Sequence, residues 1–218
     1  SSVRSLGRGF DSSTVEKVVL NEGLEQIDSR AFRSTPNLKE VVIPSTVKTI
    51  ADNAFQKSGI KEIVIPASVK TIGETAFGAS LIETVTFEGD IEIQGYAFRG
   101  CTNLESIHIP GSVTTIEDYA FHDCSSLTEL TLPEGVGFIG NGAFNGCSKL
   151  RSLHIPSTVD HIGHGAFRNC PELKEVTISP DNPHFRMDER GVIYSTDGRV
   201  MIGRTVPVSG KYTVPDTV

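Results

Sequence analysis

The chain has 218 residues, of which 38% are apolar and 22% charged, a composition that supports a sizeable core. A net charge of −7 with scattered Lys and Arg argues against a nucleic-acid-binding surface, which needs a clustered basic face. No apolar stretch approaches the roughly 18 residues of a membrane span, and SSVRSLGRGF lacks the apolar centre of a secretion signal.

From the N-terminus onward, the same short unit returns. Its first part is a run with apolar residues at alternate positions: VVLN (18–21), VVIP (41–44), IVIP (63–66), VTF (85–87), IHIP (107–110), LTLP (130–133), LHIP (153–156) and VTIS (176–179). Period-2 alternation marks a strand with one face buried. A Leu or Ile precedes seven of these runs (Leu38, Ile60, Ile82, Leu104, Leu127, Leu150, Leu173), giving L-x-x-L-x-L. Pro44, Pro66, Pro110, Pro133 and Pro156 mark strand ends, since Pro has no N–H for a ladder. V-x-x-I follows, as Val47/Ile50, Val69/Ile72, Val113/Ile116, Val136/Ile139 and Val159/Ile162. The unit closes on Ala-Phe at Phe32, Phe55, Phe77, Phe98, Phe121, Phe144 and Phe167, in steps of 23, 22, 21, 23, 23 and 23 residues.

One such unit cannot bury its own apolar face; stacked units bury one continuous core. With strands about 4.8 Å apart, eight of them make a parallel sheet roughly 35 Å across. The opposite side is expected to hold a short strand or turn at V-x-x-I and a single helical turn near Ala-Phe.

The unit L-x-x-h-x-h-P-x-x-V-x-x-I-G-x-x-A-F-x-x-C resembles the BspA-like leucine-rich repeat, over roughly residues 15–178. Residues 1–178 are therefore expected to form a β-rich leucine-rich-repeat solenoid of about seven to eight units. Residues 179–211 resemble the hairpin unit that interrupts such arrays, with Asn182-Pro183, Gly191–Tyr194 and Asp197-Gly198. Asp-Gly between apolar runs is a hairpin signal in its own right. Residues 212–218 (YTVPDTV) repeat VVIPSTV (41–47), so a further repeat begins and a longer array is expected.

Cys101, Cys124, Cys147 and Cys170 are spaced by 23 and could suggest a disulfide or metal framework. Thr35, Ser58 and Ser80 hold the same place in earlier units, which favours small buried side chains and free thiols. Gly135-x-Gly137-x-x-Gly140 matches a nucleotide fingerprint, but the strand before it and the helix after it are not expected here. His161-x-x-His164 and His154 lack zinc spacing and read as exposed polar residues; His108 and His154 could give a pH-sensitive contact. Asp181, Asp188, Glu189 and Asp197 read as turn formers. No G-x-S-x-G elbow occurs. No catalytic residue, metal site or cofactor is assigned. The repeat rules break at the hairpin unit and in the shortened unit around Phe87–Phe98.

Residues the core leaves free lie in two columns of the strand face. The middle column runs Val19, Val42, Val64, Thr86, His108, Thr131, His154, Thr177. The column before it runs Lys17, Glu40, Glu62, Thr84, Ser106, Glu129, Ser152, Glu175. The candidate contact residues are Glu40, Val42, Glu62, Val64, Thr86, His108, Glu129, Thr131, His154 and Glu175, a mildly apolar, acidic patch suited to a basic partner. The same residues also read as plain strand formers on an exposed sheet. The resemblance implies a non-enzymatic binding or adhesion module at the cell surface or outside the cell, contacting proteins or extracellular polymers. The alternative is a structural spacer presenting another domain. End-to-end self-association of the chain, but neither nucleic-acid binding nor membrane insertion, is expected.

Overall fold

The computed structural model describes residues 4–188, 191–196 and 201–204. In chain order the strands of the array are β1 (Lys17–Val19), β2 (Gln26–Ile27), β3 (Glu40–Val42), β4 (Thr49–Ile50), β5 (Glu62–Ile65), β6 (Thr71–Ile72), β7 (Thr84–Phe87) and β8 (Glu92–Ile93). They continue as β9 (Ser106–His108), β10 (Thr115–Ile116), β11 (Glu129–Thr131), β12 (Phe138–Ile139), β13 (Ser152–Ile155), β14 (His161–Ile162) and β15 (Glu175–Ile178). Odd-numbered strands come from the alternating runs and even-numbered ones from V-x-x-I. Every pairing among them is parallel and in register with the repeat, as in Lys17↔Glu40 and Ile50↔Ile72. The result is a parallel β-solenoid of about seven turns.

The odd strands do not form one unbroken ladder. Hydrogen bonding joins β1 to β3, β5 to β7, and β9 through β15. Each interruption separates a coil with nine residues from Phe to strand centre from one with eight: Phe32–Val41 against Phe55–Ile63, and Phe77–Val85 against Phe98–Ile107. The short loop after Phe55 turns at Gly59, where an added Cβ would sit 2.0 Å from the Pro36 carbonyl oxygen.

The core is a column of phenylalanines. Phe10, Phe32, Phe55, Phe77, Phe98, Phe121, Phe144 and Phe167 stack in sequence, with centroids 5.0–5.5 Å apart and ring planes within 12°. Phe10 adds an eighth ring to the seven of the Ala-Phe column. Around the rings, Ile27, Ile50, Ile72, Ile116 and Ile139 are fully buried, as are Leu38, Leu104, Leu127 and Leu150.

No helix forms among the described residues; the Ala-Phe segment is a run of turns instead of the expected helical turn. Its N–H groups alternate between two destinations. Ala54, Gln56 and Ser58 donate within their own coil, to Ala51, Asn53 and Phe55; Phe55 and Lys57 donate to Ala76 and Gly78 of the next coil. Asn53 and Lys57 adopt positive φ (59° and 56°), which breaks any helical repeat. The cause is spacing. Packed helices need about 8–10 Å between axes, whereas rings on this side repeat at 5.0–5.5 Å.

Beyond β15 the topology changes. β16 (Phe185–Met187), β17 (Val192–Ser195) and β18 (Met201–Arg204) form an antiparallel sheet. Asp188 organises its first turn, accepting the Val192 N–H at 2.9 Å and the Tyr194 hydroxyl at 3.1 Å. Glu189, the Asp197-Gly198 turn and the partial repeat at 212–218 lie outside the described residues.

Truncating Phe121, buried between Phe98 and Phe144, is expected to be costly. Phe121→Ala should lower unfolding free energy by about 3–5 kcal/mol in urea denaturation. Gly59→Ala should cost about 1–3 kcal/mol through overpacking against Pro36. An unchanged urea midpoint for either variant would contradict this packing.

Candidate binding surface

Strand alternation puts Val18, Val41, Ile63, Val85, Ile107, Leu130, Leu153 and Val176 into the core. Their neighbours on either side consequently face outward. All ten candidate residues are exposed: Glu40, Val42, Glu62, Val64, Thr86, His108, Glu129, Thr131, His154 and Glu175. The parallel register aligns them in rows, as in Val64↔Thr86, His108↔Thr131 and Thr131↔His154. Val19, Val42 and Val64 are 62%, 50% and 50% exposed, three of the five large apolar side chains so exposed among the described residues. They share one row, so the apolar exposure is concentrated rather than scattered. Further along that row, His154 Nδ1 lies 2.9 Å from the Thr177 hydroxyl.

The flanking charges are not uniformly acidic. Lys17 pairs with Glu40 at 2.8 Å, Lys39 with Glu16 at 2.7 Å and Lys61 with Glu83 at 2.7 Å, each across one coil. Such exposed pairs contribute little stability, but they partly neutralise the N-terminal half of the face. Glu62, Glu129 and Glu175 make no ion pair among the described residues, so the acidic character rests on them.

The other singled-out residues have structural places. Thr35, Ser58, Ser80, Cys101, Cys124 and Cys147 are buried in one column, and the four cysteines are free thiols. Each thiol donates to the carbonyl of the preceding coil's Phe: Cys101 to Phe77 at 3.0 Å, Cys124 to Phe98 at 3.2 Å, Cys147 to Phe121 at 3.3 Å and Cys170 to Phe144 at 3.2 Å. Burial pushes these thiols up, to about 12 for Cys101 and about 11 for Cys170. Gly135 and Gly137 precede the two-residue strand β12 with no helix following, so the fingerprint lacks its context. His161 stacks on Phe138 at 4.4 Å; His161 and His164 are exposed, while His122 is half-buried with Nδ1 3.0 Å from the Asp123 carboxylate. Among the described residues no group of three or more His, Cys, Asp or Glu is placed to hold a metal. No described helix is long and apolar enough to cross a membrane.

Sequence reasoning named Asn182-Pro183 as a mark of the hairpin unit but not what the Asn182 side chain does. Its buried side chain donates from Nδ2 to the Pro156 and Val159 carbonyls (2.7 and 3.0 Å) and accepts at Oδ1 from the N–H groups of His184 and Phe185 (2.8 and 2.9 Å). The Asn-Pro dipeptide was its only signal. Lys17 was also overlooked as the counter-ion of Glu40, although the two sit 23 residues apart in one column.

Comparison with known proteins identifies the repeat. The family described as the BspA type leucine-rich repeat region matches residues 7–101 and 91–187 in six copies. No curated protein sequence matches the chain. Among the solved structures similar to it are the following three. A leucine-rich repeat protein from Bacteroides ovatus is 22% identical with a TM-score of 0.46, the match covering 82% of this chain and 71% of that one. A leucine-rich cell surface protein from Faecalibacterium prausnitzii is 22% identical with a TM-score of 0.46, covering 79% and 62%. A leucine-rich repeat protein from T. pallidum is 28% identical with a TM-score of 0.44, covering 74% and 63%.

The thiol column sets two expectations. A thiol reagent at about pH 8 should modify Cys170 first and Cys101, Cys124 and Cys147 only on unfolding, read by mass spectrometry of digested protein. An unfolded thiol ionises near 9.0, whereas folded Cys101 holds its proton to about 12. The unfolded state thus binds fewer protons in that window, so stability is complete below 9.0 and falls as pH rises towards 12. A urea midpoint that rises across this window would contradict the burial of the column.

Proposed function

The chain belongs to the BspA-type leucine-rich-repeat family, and from that premise we propose that it is a binding module whose partner lies across the strand face. The observation that carries the reading is the row Val19, Val42, Val64, where three β-branched apolar side chains stay half or more exposed on consecutive odd strands. Exposed apolar surface of this kind is a cost unless something covers it. Solenoids offer extended faces of this type to partners. Glu62 lies beside the valines, and Glu129 and Glu175 beside Thr131 and Thr177, so a protein or extracellular polymer with basic groups fits the surface. Glu40, Val42, Glu62, Val64, Thr86 and His108 form the proposed contact centre; Glu129, Thr131, His154 and Glu175 extend it. The expectation of display outside the cell, set by the resemblance above, agrees with such a role. We divide the chain accordingly into a binding array over 1–178 and a hairpin unit over 179–211.

A spacer role has one observation in its favour: the ring stack runs without a break from Phe10 to Phe167.

Surface plasmon resonance against extracellular-matrix proteins, serum proteins and glycans tests the reading. The variant Glu40→Lys/Glu62→Lys/His108→Ala is expected to lose saturable binding by tenfold or more, on the order of 1.4 kcal/mol. Binding that survives in this variant would move the site off the strand face. A chain that binds nothing in the panel would favour the spacer.

A further inference from the structure

Each coil is tied to the next along three lines: the odd-strand ladder, the even-strand ladder and the Ala-Phe turns. The odd ladder lapses between β3 and β5, but β4 and β6 still pair there, and Asp52 caps the Glu74 N–H at 2.9 Å. Between β7 and β9 it lapses again, and at this same step the even ladder lapses between β8 and β10. At every other step of the array at least one ladder holds beside the turns. Across the next even step Gly137 and Gly140 donate to Thr114 and Ile116; across an earlier one Lys70 and Gly73 donate to Lys48 and Ile50. Among the described residues no backbone bond from Thr114 or Glu117 crosses to β8.

The corner cap is missing at this step too. Asp118 accepts the Asn141 N–H at 2.7 Å, and Asn141 the His164 N–H at 2.9 Å. The residue placed to cap Asp118 is Gly95, which has no side chain to give. The Gly95 N–H is instead held by Glu117 Oε2 at 2.7 Å. On the odd-strand side one long bond remains, from the Glu105 N–H to the Glu83 carbonyl at 3.3 Å. None of the ion pairs among the described residues spans the step.

The third line is intact. Tyr96, Phe98 and Gly100 donate to the carbonyls of Asp118, Ala120 and His122 at 3.0, 2.8 and 2.7 Å. Phe98 stacks on Phe121 at 5.3 Å and Tyr96 on Tyr119 at 5.0 Å. The Cys124 thiol reaches the Phe98 carbonyl at 3.2 Å. Two bodies bonded along one side turn about that side. A cavity of about 480 Å³ lies at this step, with Gln94, Gly95 and Tyr96 on one wall and Thr115, Glu117 and Asp118 on the other. The corner therefore has room to close as well as to open.

We propose that this step is a hinge: the coils up to Phe98 and those from Leu104 onward move as two blocks about the Ala-Phe side. Hinge motions of this kind fall in the μs–ms range. The division crosses the strand face between Thr86 and His108, so a partner touching both halves sets the angle between them. The hinge follows from the bonding between coils and does not depend on the strand-face reading.

A lanthanide tag on Glu62→Cys aligns the first block in a magnetic field. The background is Cys170→Ser, the residue that Ser58 and Ser80 place in the same column. Residual dipolar couplings of the ¹⁵N-labelled chain then report the alignment of every coil. One value is expected through Phe98, followed by a single drop to about 0.8 of it or less for all coils from Leu104. The Thr114 and Glu117 amides should exchange with deuterium about tenfold faster than those of Gly137 and Gly140. Gly95→Asn supplies the side chain that caps at Asn141; its Cβ would lie 3.2 Å from the Asp118 carbonyl oxygen, which a small shift accommodates. It should slow exchange of the Asp118 amide about fivefold, as one added hydrogen bond does, and bring the two alignments together. Three results would overturn the proposal: one alignment throughout the unaltered chain, a gradual decline from coil to coil, or a single drop that persists in Gly95→Asn although its Asp118 amide is protected.

Discussion

The spacing between coils governs this molecule. Parallel strands set a repeat of about 4.8 Å, and the phenylalanine rings on the far side of the coil accept nearly the same repeat, at 5.0–5.5 Å. Both sides of each coil must advance by one rung without splaying. A helix cannot do so, because neighbouring helices would stand roughly twice as far apart. The chain instead makes turns whose alternate N–H groups point along the solenoid axis. Those turns require left-handed φ at fixed places, and Thr75, Tyr96 and Tyr119 adopt it despite their bulk (57°, 60° and 56°). The later coils place Gly142 and Gly165 there, where the conformation carries no Cβ penalty.

The same spacing explains how polar groups are satisfied. A side chain's nearest unrelated neighbour is its own counterpart 21–23 residues away. Lys17–Glu40, Lys39–Glu16 and Lys61–Glu83 are pairs of this kind. So are the cap from Asp118 to Asn141 and the stacked ring pair of Tyr96 and Tyr119. The buried thiols reach the carbonyl of the coil before. Charge on the strand face is consequently read by column: where a column alternates in sign it neutralises itself, and where Glu129 lies between Ser106 and Ser152 it does not.

Much of this was legible in the sequence because the repeat is carried by side chains with one acceptable environment. The Ala-Phe column, the alternating runs and V-x-x-I fixed the stacking, and outward alternation fixed which candidate residues are exposed. Features that depend on two coils at once were less visible. Phe10 lacks the preceding Ala, so its place in the ring column needed the fold. The interrupted ladders follow from loops that differ by one residue. At Gly95 the column of side chains that cap the next coil, as Asp118 caps Asn141, is interrupted because glycine has no side chain to give. The repeat irregularity around Phe87–Phe98 was visible, but not the change it makes in the hydrogen bonding at Gly95.

Asn182 shows how the parallel array gives way to an antiparallel sheet. Among the described residues no parallel coil follows β15 to supply donors to the Val159 carbonyl, and the Pro156 carbonyl has only the long Val159 N–H contact at 3.4 Å within its own turn. The two N–H groups of one carboxamide meet both. Its oxygen then accepts from His184 and Phe185, the backbone at the start of β16. An Asp at this position would present no donor to the carbonyls, and a Ser could not reach both sides. The adjoining Pro183 has no N–H of its own to satisfy. Phe185, Val192 and Tyr194 are buried, so the hairpin brings its own apolar contacts to the coil it covers. A single carboxamide thus ties the last loop of the parallel array to the backbone that opens the antiparallel sheet.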